Sequence, residues 1–575
     1  MRTVFTIVLS SLLVFITNQA GTAQNLAWAK ITGGTDYDQA RAIAVDPSGW
    51  VYTTGYFTGT VDFDPGPGTF FLTSSGMQDV YVSKLDSAGK FKWALQLGGS
   101  SNEAGYGIAV DSNGYVYVTG RFTGTADFDP GVGTFNLTAN SMGCFIAKLD
   151  ALAGNLVWAK QFITSFIVEP YSIAIDNNGN VITTGRFIGT VDFDPGVGSL
   201  IFSNPGFHDD AYISKLDPSG NLVWARQLAA PFNGYSYANS VALDDSGNIY
   251  TTGEFSDTID FDPGVAAYDL IGDFFGDAFI YKLDAAGNFQ WAKQLSGSGN
   301  DGAVSIALDA SGNVYTTGLF NETTDFDPGV STLNLSAAVA GNHDVYISKL
   351  DTLGNFVWAK QFESTVGSII RTSAIAVDES GNVYTAGGFM QSVDFDPGSG
   401  IYSLSSTGQS DAFISKLDSA GDFVSALQLG GAGFAFGRGI DLDSAGNIYS
   451  TGHFQQTVDF DPGPGIFNLL SAGNDDVFVI KLQSESNTTT SINEDSWGSE
   501  INLYPNPTNG SITIESERSF GNAIITARNI LGQEMFRKTC SSTNSISITL
   551  DGAAGIYFIE LIHEDKHGVF RVVKN

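Results

Sequence analysis

Cysteine is nearly absent from this sequence, which has two such residues among 575, Cys144 and Cys540. We expect the two to lie in different domains, so a framework of disulfides is excluded. Cys144 falls in a repeated segment, at a position that we align with an aspartate in the six other copies. We therefore interpret it as a local substitution rather than as a nucleophile.

Basic residues are also scarce. The chain has 27 Lys and Arg against 61 Asp and Glu, which gives a formal net charge of −34. Binding to the phosphates of DNA or RNA requires charge of the opposite sign. A nucleic-acid partner is therefore excluded.

Long hydrophobic runs are confined to the N-terminus. Arg2 is followed by an apolar run over residues 4–16 and by small residues at 21–23. This pattern is typical of a secretory signal peptide, which we predict at residues 1–23. No later stretch approaches the roughly 20 apolar residues of a membrane-spanning helix. We therefore expect an exported chain without a transmembrane segment.

The motifs of common catalytic sites are missing. Of the five histidines, His208, His343 and His453 fall in three different repeats, and the other two lie near the C-terminus. There is no Gly-x-Ser-x-Gly, no phosphate-binding loop and no His-Glu-x-x-His. Carboxylates are so abundant that no pair stands out as a glycosidase couple. These absences argue against an enzyme.

What the sequence does contain is a repeat. The string DFDPG occurs seven times at intervals of 65 to 69 residues, and a fixed period of this size is the mark of a repeat architecture. The seven copies begin at Asp62, Asp127, Asp192, Asp260, Asp325, Asp394 and Asp459.

Each repeat predicts four short strands, A to D. In the first repeat, strands A, B and C are predicted at Ala42–Asp46, Val51–Phe57 and Val80–Asp86, and Asp/Asn/Gly turns link A to B and C to D. One D-type strand, Asn25–Ala29, lies before the first A strand, and no D strand follows the last C strand. We therefore predict an all-β fold: a seven-bladed β-propeller of four-stranded blades over residues 24–482, whose N-terminal strand closes the last blade.

The repeats also resemble a known family. The pattern AVDxxGNVYxTGxF, followed by DxFxxKLDxxGNxxWAKQ, is similar to the bacterial β-propeller repeat known as the SBBP repeat. The similarity extends from about Asn25 to Leu482, and seven copies agree in order and spacing. The resemblance implies the same propeller fold.

The C-terminal region has a different character. Residues 483–500 predict a polar linker, and residues 501–575 predict about seven short strands that form a small Ig-like β-sandwich. Its most characteristic residues are Tyr504, Pro505, Asn506, Pro507, Gly532, Gly555, Tyr557 and Lys574. Through these residues the module resembles the type A C-terminal sorting domain of the type IX secretion system. The resemblance implies transport across the outer membrane of a Gram-negative bacterium, removal of the domain and, often, attachment to a surface lipopolysaccharide.

Antiparallel blades place the A-to-B and C-to-D turns on one face of the ring, the turn face, and the long B-to-C and D-to-A connections on the other, the loop face. On the loop face, the aspartates of DFDPG offer oxygen ligands to Ca²⁺, but Asp-Pro-Gly is also a favourable turn with Phe as its anchor. The turn is the simpler interpretation. The alternative calcium positions are Asp62, Asp64, Asp127, Asp129, Asp192, Asp194, Asp260, Asp262, Asp325, Asp327, Asp394, Asp396, Asp459 and Asp461.

Three other features of the loop face are candidates for binding. The variable residue of TGxF includes Arg121, Arg186, Glu254 and His453, and it indicates either ligand contacts or plain exposure to solvent. Asp441 replaces an alanine of strand A, either as a binding group in the channel or as an exposed substitution. Aromatic rings of the D-to-A loops either stack on sugars or only pack the loops. These rings are Phe166, Tyr171, Phe232, Tyr235, Tyr237, Phe434 and Phe436.

Together these patterns predict a secreted or surface-displayed protein of a Gram-negative bacterium that acts as a non-catalytic binding or adhesion module through its loop face. The predicted partners are the type IX machinery and an unidentified glycan or protein ligand. No cofactor is expected unless calcium binds at DFDPG. The alternative is an extracellular enzyme that acts on polysaccharides with loop carboxylates, and it requires a deep acidic pocket where the seven loops converge.

Overall fold

The structure, a computed structural model, describes residues 24–484 except 205 and 207, and most of 501–574. In the C-terminal part the described residues are 501–505, 508, 510–516, 523–529, 534–539, 544–550, 555–563 and 566–574. The predicted signal peptide, residues 485–500 of the predicted linker, Cys540 and the sorting residues Asn506, Pro507 and Gly532 lie outside the described residues. The chain divides into two compact units between Ser484 and Glu485, and each is described by itself. No described helix has the length and hydropathy needed to cross a bilayer.

The A-to-B turns show why the repeated aspartates fold the chain locally. Asp46 Oδ1 accepts hydrogen bonds from the backbone N–H groups of Ser48 (2.9 Å) and Trp50 (3.0 Å). Gly49 has a φ of 77°, a conformation that glycine adopts without steric cost. Equivalent pairs of hydrogen bonds hold all seven turns. These turns are structural hairpins, as their composition predicts.

Each repeat forms one antiparallel sheet in the order A, B, C, D. In the first sheet the strands are β2 (Gln39–Val45), β3 (Val51–Phe57), β6 (Asp79–Leu85) and β7 (Phe91–Gly99). In the second they are β8 (Ala104–Val110), β9 (Tyr115–Asp127), β10 (Asn136–Asp150) and β11 (Leu156–Thr164). In the third they are β12 (Ile167–Ile175), β13 (Val181–Asp192), β15 (Asp210–Leu216) and β16 (Leu222–Leu228).

The remaining sheets repeat this order. The fourth contains β17 (Ser236–Leu243), β18 (Ile249–Asp260), β19 (Asp269–Leu283) and β20 (Phe289–Gly297). The fifth contains β21 (Gly302–Leu308), β22 (Val314–Phe320), β25 (Asp344–Leu350) and β26 (Phe356–Ser364). The sixth contains β27 (Ile369–Val377), β28 (Val383–Met390), β31 (Asp411–Leu417) and β32 (Phe423–Gly431). The seventh contains β33 (Ala435–Leu442), β34 (Ile448–Phe454), β37 (Asp476–Leu482) and, as its D strand, β1 (Leu26–Thr32).

The seventh sheet joins the two ends of this unit. Strand β1 pairs with β37, with Trp28 opposite Lys481 and Lys30 opposite Val479. Each A strand contacts the A strands of the sheets before and after it, and β33 contacts β2. The seven A strands therefore form a closed ring around a channel. The hydrophobic cores lie between neighbouring sheets.

The DFDPG segments lie in short outer ribbons. The separate ribbon strands are β4 (Thr60–Asp62), β5 (Phe71–Thr73), β14 (Ile201–Asn204), β23 (Thr323–Asp325), β24 (Asn334–Ser336), β29 (Ser392–Asp394), β30 (Ser403–Ser405), β35 (Thr457–Asp459) and β36 (Asn468–Leu470). In the second and fourth repeats, extended B and C strands make the ribbon themselves.

These ribbons link neighbouring sheets. Gly98 at the end of β7 pairs with Asp127 of the second repeat, and Gly430 at the end of β32 pairs with Asp459 of the seventh. The same contact joins repeats two and three, four and five, and five and six. The bridge between Gly33 and Asp62 makes the link where the ring closes. The ribbon therefore fastens one repeat to the next at six of the seven boundaries; between repeats three and four, the described strands show no such pairing.

The phenylalanine of DFDPG anchors the ribbon to the core. Phe63 is 1% exposed, and its ring centroid lies 5.4 Å from that of Phe57 in an edge-to-face arrangement. The same ring pair is present in all seven repeats.

The position assigned to Cys144 from the sequence is wrong by one residue. Cys144 pairs with Arg121 in the same register in which Val80 pairs with Tyr56, so Gly143 takes the place of Asp79. Cys144 is buried, and burial raises the pKa of its thiol to about 12. It is a small core side chain rather than a reactive thiol.

The C-terminal unit contains two antiparallel sheets. One is formed by β38 (Ile501–Tyr504), β39 (Ser511–Ser516) and β42 (Ser545–Thr549). The other is formed by β40 (Ile524–Asn529), β41 (Glu534–Thr539), β43 (Gly555–His563) and β44 (Lys566–Lys574). Residues from both sheets share one hydrophobic core, including Ile514, Ile548, Ile525 and Ile559.

The described sorting residues lie at the ends of these strands. Tyr504 is exposed, and its hydroxyl donates to Glu515 Oε2 (2.8 Å); Pro505 follows it. Gly555 pairs with Lys574, and Tyr557 is buried two residues further along β43. Lys574 Nζ donates to the carbonyl of Leu550 at 2.7 Å.

Candidate functional site

The DFDPG carboxylates are bonded to their own backbone. Asp62 Oδ1 accepts from the backbone N–H of Asp64 (3.1 Å) and Phe70 (2.8 Å), and Asp64 Oδ1 accepts from that of Gly66 (2.8 Å). The same three bonds recur in every repeat. Within the described ranges, no three His, Cys, Asp or Glu side chains are grouped to hold a metal ion. The geometry favours the turn interpretation over calcium.

Two of the predicted binding residues, Arg121 and Arg186, contact the same carboxylate, that of Glu169. Arg186 contacts Glu169 through Nη2 and Oε2 (2.9 Å) and Asp209 through Nη1 and Oδ1 (2.8 Å). Arg121 Nη1 lies 3.4 Å from the other oxygen of Glu169. Both arginines are therefore paired within the protein.

Glu254 is half-buried, and His453 is buried. Burial raises the pKa of Glu254 to about 7. His453 is 3% exposed, and its ring lies 5.5 Å from that of Phe434 and 6.2 Å from that of Phe436. Burial, and then the charge of Arg438, lower the pKa of His453 well below its usual value. Plain exposure to solvent is therefore the wrong explanation for the variable TGxF residue at His453.

Asp441 joins the two ends of the ring. Its Oδ2 accepts from the backbone N–H of Val45 in β2 (2.7 Å), and its Oδ1 accepts from that of Leu442 (2.8 Å). Burial raises its pKa to about 6. The interpretation as an exposed substitution is wrong, because this carboxylate bonds β33 to β2 across the closure.

A β-bulge occurs at the same place in all seven A strands. There the pairing with strand B shifts by one residue and leaves one residue unpaired. A bulge changes the direction of the side chain that it carries. The seven bulged residues all line the channel: Arg41, Tyr106, Tyr171, Asn239, Val304, Ser373 and Arg438.

The bulged residues surround a cavity of about 540 Å³ where the channel opens on the loop face. We call this cavity the channel mouth. Its other lining residues are Glu169, Leu319, Arg371, Thr372 and Phe436. A narrower cavity of about 310 Å³, lined by the A strands, continues inward.

The channel mouth has an excess of positive charge. Glu169 is its one acidic lining residue, and Arg121 and Arg186 already bind it. Arg41, Arg371 and Arg438 form no ion pair within the described part of the chain.

Aromatic rings hold two of these guanidinium groups. Arg41 Cζ lies 5.6 Å from the ring centroid of Tyr56, and Arg438 Cζ lies 4.6 Å from that of Phe436. Burial lowers the pKa of Arg438 to about 10, and the charge of Arg41 adds to this effect. Such a cavity can offer charged donors and aromatic faces to a small polar group.

The predicted aromatic residues divide between this cavity and its surroundings. Tyr171 and Phe436 line the channel mouth. Tyr237 packs against Tyr235, with ring centroids 5.1 Å apart, and against the guanidinium of Arg186. Phe434 covers His453, whereas Phe166 and Phe232 are exposed on the loops.

Arg41, Arg371 and Arg438 escape prediction from the sequence. A signal exists for two of them, because the bulged position reads Arg, Tyr, Tyr, Asn, Val, Ser and Arg through the seven repeats. The sequence pattern shows which residues of a strand alternate between its two faces, but it does not show where a bulge interrupts that alternation. The variable position therefore cannot be recognised from the sequence as a bulge that faces the channel.

Two family models match the chain. One, described as a beta-propeller repeat, matches residues 92–128, 223–254 and 290–325. The other, described as a secretion system C-terminal sorting domain, matches residues 502–575. The chain carries SBBP β-propeller repeats and a type IX sorting domain. The sorting domain indicates export by the type IX secretion system to the medium or the outer surface of the cell.

Two curated proteins are similar to parts of the chain. The chain is 22% identical over 511 residues to an uncharacterized WD repeat-containing protein of Acanthamoeba polyphaga mimivirus, an alignment that covers 75% of this chain and 36% of that protein. It is 27% identical over 146 residues to the regulatory protein FlaEY of Caulobacter vibrioides, which covers 25% of this chain and 14% of that protein. The chain thus spans well under two thirds of either relative.

Solved structures resemble the chain only distantly. A protein of unknown function from Bacteroides caccae is 11% identical, with 59% of this chain and 94% of that chain covered and a TM-score of 0.28. PorZ, a surface component of the type IX secretion system of Porphyromonas gingivalis, is 12% identical, with 96% and 99% covered and a TM-score of 0.16. We base no argument on similarities at this level.

Proposed function

We propose that this exported protein is a non-catalytic binding or adhesion module whose ligand enters the channel mouth. The observation that carries the proposal is the row of bulged residues. Seven repeats that are otherwise alike place seven side chains around one cavity, and these include charged, aromatic, amide and aliphatic groups. Varied residues on a rigid frame are typical of binding sites.

The proposal includes the finer architecture. We interpret the ring of seven four-stranded sheets as a seven-bladed β-propeller over residues 24–482, followed by a linker at 483–500. The pairing of β1 with β37 supports this interpretation. We interpret residues 501–575 as an Ig-like β-sandwich, which the two sheets around one core support.

An enzyme that acts on polysaccharides has less support. Its two carboxylates must be free and roughly 5–10 Å apart. The DFDPG aspartates accept backbone hydrogen bonds instead, and Glu169 in the channel mouth is bound by Arg121 and Arg186. We therefore prefer the binding function.

A screen of the full mature chain against surface glycans and secreted proteins tests this function. The variant Ser373→Trp fills the channel mouth and is expected to abolish binding of the ligand found. Ser48→Trp is the matched control, because Ser48 is exposed in a hairpin on the turn face. Binding that survives Ser373→Trp, with both variants folded, would contradict the proposed site.

A further inference from the structure

We propose that the channel mouth binds the carboxylate of an acidic saccharide through Arg41, Arg371 and Arg438. The ligand class rests on the proposed binding function and makes it specific. Arginine suits this task because its planar guanidinium matches a carboxylate with two parallel hydrogen bonds.

The distribution of charge is the first support. The chain carries a net charge of −34, yet three arginines converge on one cavity without an acidic partner among the described residues. Arg121 and Arg186 lie near the same cavity and do have one, Glu169. The protein therefore pairs two of these arginines with an acid, and it gives the other three no ion pair among the described residues.

The unsatisfied donors are the second support. The Nε atoms of Arg41 and Arg438 are buried and have no hydrogen-bond partner in the described part of the chain. Asp475 influences Arg438 electrostatically, but its carboxylate accepts from the side-chain amides of Gln39 and Gln455. Buried charged donors without partners destabilise a fold. A carboxylate in the channel mouth would bring a negative charge to the two guanidinium groups, whose residues line this cavity.

The third support is that two of the guanidinium groups are already positioned. Tyr56 lies against Arg41 and Phe436 against Arg438, at the distances of cation–π contacts. These contacts restrict the two long side chains before a ligand arrives. Less conformational entropy is then lost on binding.

The rest of the lining favours a saccharide over a peptide. Asn239, Ser373, Tyr106 and Tyr171 provide amide and hydroxyl groups that match sugar hydroxyls, and the tyrosine rings provide faces for stacking. The volume of about 540 Å³ suits one or a few sugar units. Because the chain as a whole is acidic, it repels a long polyanion elsewhere. We therefore expect the site to take the end or a short branch of an acidic glycan.

Calorimetry on the full mature chain tests this inference. The probes are trisaccharides of galacturonate, guluronate and glucuronate, with neutral galactotriose and hexaglutamate for comparison. We expect at least one acidic trisaccharide to bind at least ten times more tightly than galactotriose. Arg41→Gln and Arg438→Gln should each weaken that binding at least tenfold.

Arg226→Gln is the matched control, because Arg226 lies in strand D of the third repeat and donates to the carbonyls of Ala225 and of Gly287 in a turn of the fourth repeat. It should leave binding unchanged. The melting temperature separates binding from structure: Arg438→Gln removes an unsatisfied donor and should not lower it. A lower melting temperature with unchanged affinity would make Arg438 a structural residue and overturn the inference.

Other outcomes distinguish this inference from the proposed function. If galactotriose binds as well as the acidic probes, and Ser373→Trp abolishes binding but Arg438→Gln does not, the binding function stands and the acidic class is wrong. If hexaglutamate alone binds, the ligand is an acidic peptide and the saccharide is wrong. If no glycan or protein of the wider screen is sensitive to Ser373→Trp, both proposals fail.

Discussion

At the scale of single residues, the surroundings decide what a charged side chain does. Asp46 is used in a hairpin, Asp441 bonds two strands, and Glu169 holds two arginines. These three acids thus stabilise the fold. The arginines of the channel mouth differ because the described structure provides them with no counter-ion.

Three buried acids, each immediately before the A strand of its repeat, should make the folded protein less stable as the pH rises. Asp38, Glu103 and Asp301 are at most 1% exposed, and burial raises the pKa of each to about 7. Around Asp301, the carboxylates of Asp277 and Asp273 raise it further, and the hydroxyl of Thr324 opposes them. Between about pH 4 and 7 the folded state therefore binds more protons than the unfolded state. Stability should fall as the pH rises through this range.

Asp301→Asn tests this dependence. The amide is neutral at every pH and can still accept from the backbone of Asn321 and bond to Thr324. We expect the variant to be more stable than the wild type by roughly 1–3 kcal/mol at pH 8 and about equal to it at pH 5. Urea unfolding at the two pH values measures the difference. A constant difference between pH 5 and pH 8 would contradict the assigned pKa.

At the scale of elements, the DFDPG ribbon is the connector between repeats. Its backbone pairs with strand D of the preceding repeat, and its phenylalanine enters the core. The sequence predicts the turn and the anchoring role of the phenylalanine correctly. It cannot predict the connection between repeats, because the partner, Gly98 in the case of Asp127, belongs to another copy whose position depends on the closed ring.

Truncating one ribbon anchor should be costly. Phe326 is fully buried against Phe320 and Tyr346. We expect Phe326→Ala to lower the free energy of unfolding by about 3–5 kcal/mol, the usual cost of such a cavity. Phe274→Ala is the control, since Phe274 is 83% exposed, and it should change little. Chemical denaturation measures both, and similar effects would contradict the anchoring role.

Chelation tests whether the DFDPG ribbons bind calcium. Since the DFDPG carboxylates already accept backbone N–H groups, we expect the melting temperature of the full mature chain to be the same in EDTA as in millimolar Ca²⁺. A calcium-dependent rise, lost in Asp394→Asn, would restore the metal interpretation. Differential scanning calorimetry gives the answer.

Strand positions follow from the sequence more closely than the site does. Strand B is predicted at Val51–Phe57 and found there, because its alternating residues and flanking turns are local. Strand C is found one residue earlier than predicted, at Asp79–Leu85, and strand A begins three residues earlier, at Gln39. The channel mouth depends on bulges and on seven distant segments. No local pattern encodes either of these.

At the scale of the whole molecule, the closure of the ring depends on β1. Deleting residues 24–32 would leave the edge of β37 unpaired and remove the Trp28 contact with Tyr449. We expect a lower melting temperature and association through the exposed edge. A peptide of residues 24–34 added in excess should restore both properties. A deleted chain that melts like the wild type would show that the ring does not need this strand.

The pairing of β1 with β37 also sets an order of events during biosynthesis. Translation makes Leu26–Thr32 early, but the partner of this strand among the described strands, Asp476–Leu482, is one of the last parts of the repeat unit to be made. All residues up to Leu482 must therefore be synthesised before this unit can reach its final form. Until strand β37 has been made, β1 has no partner among the described strands and the ring stays open.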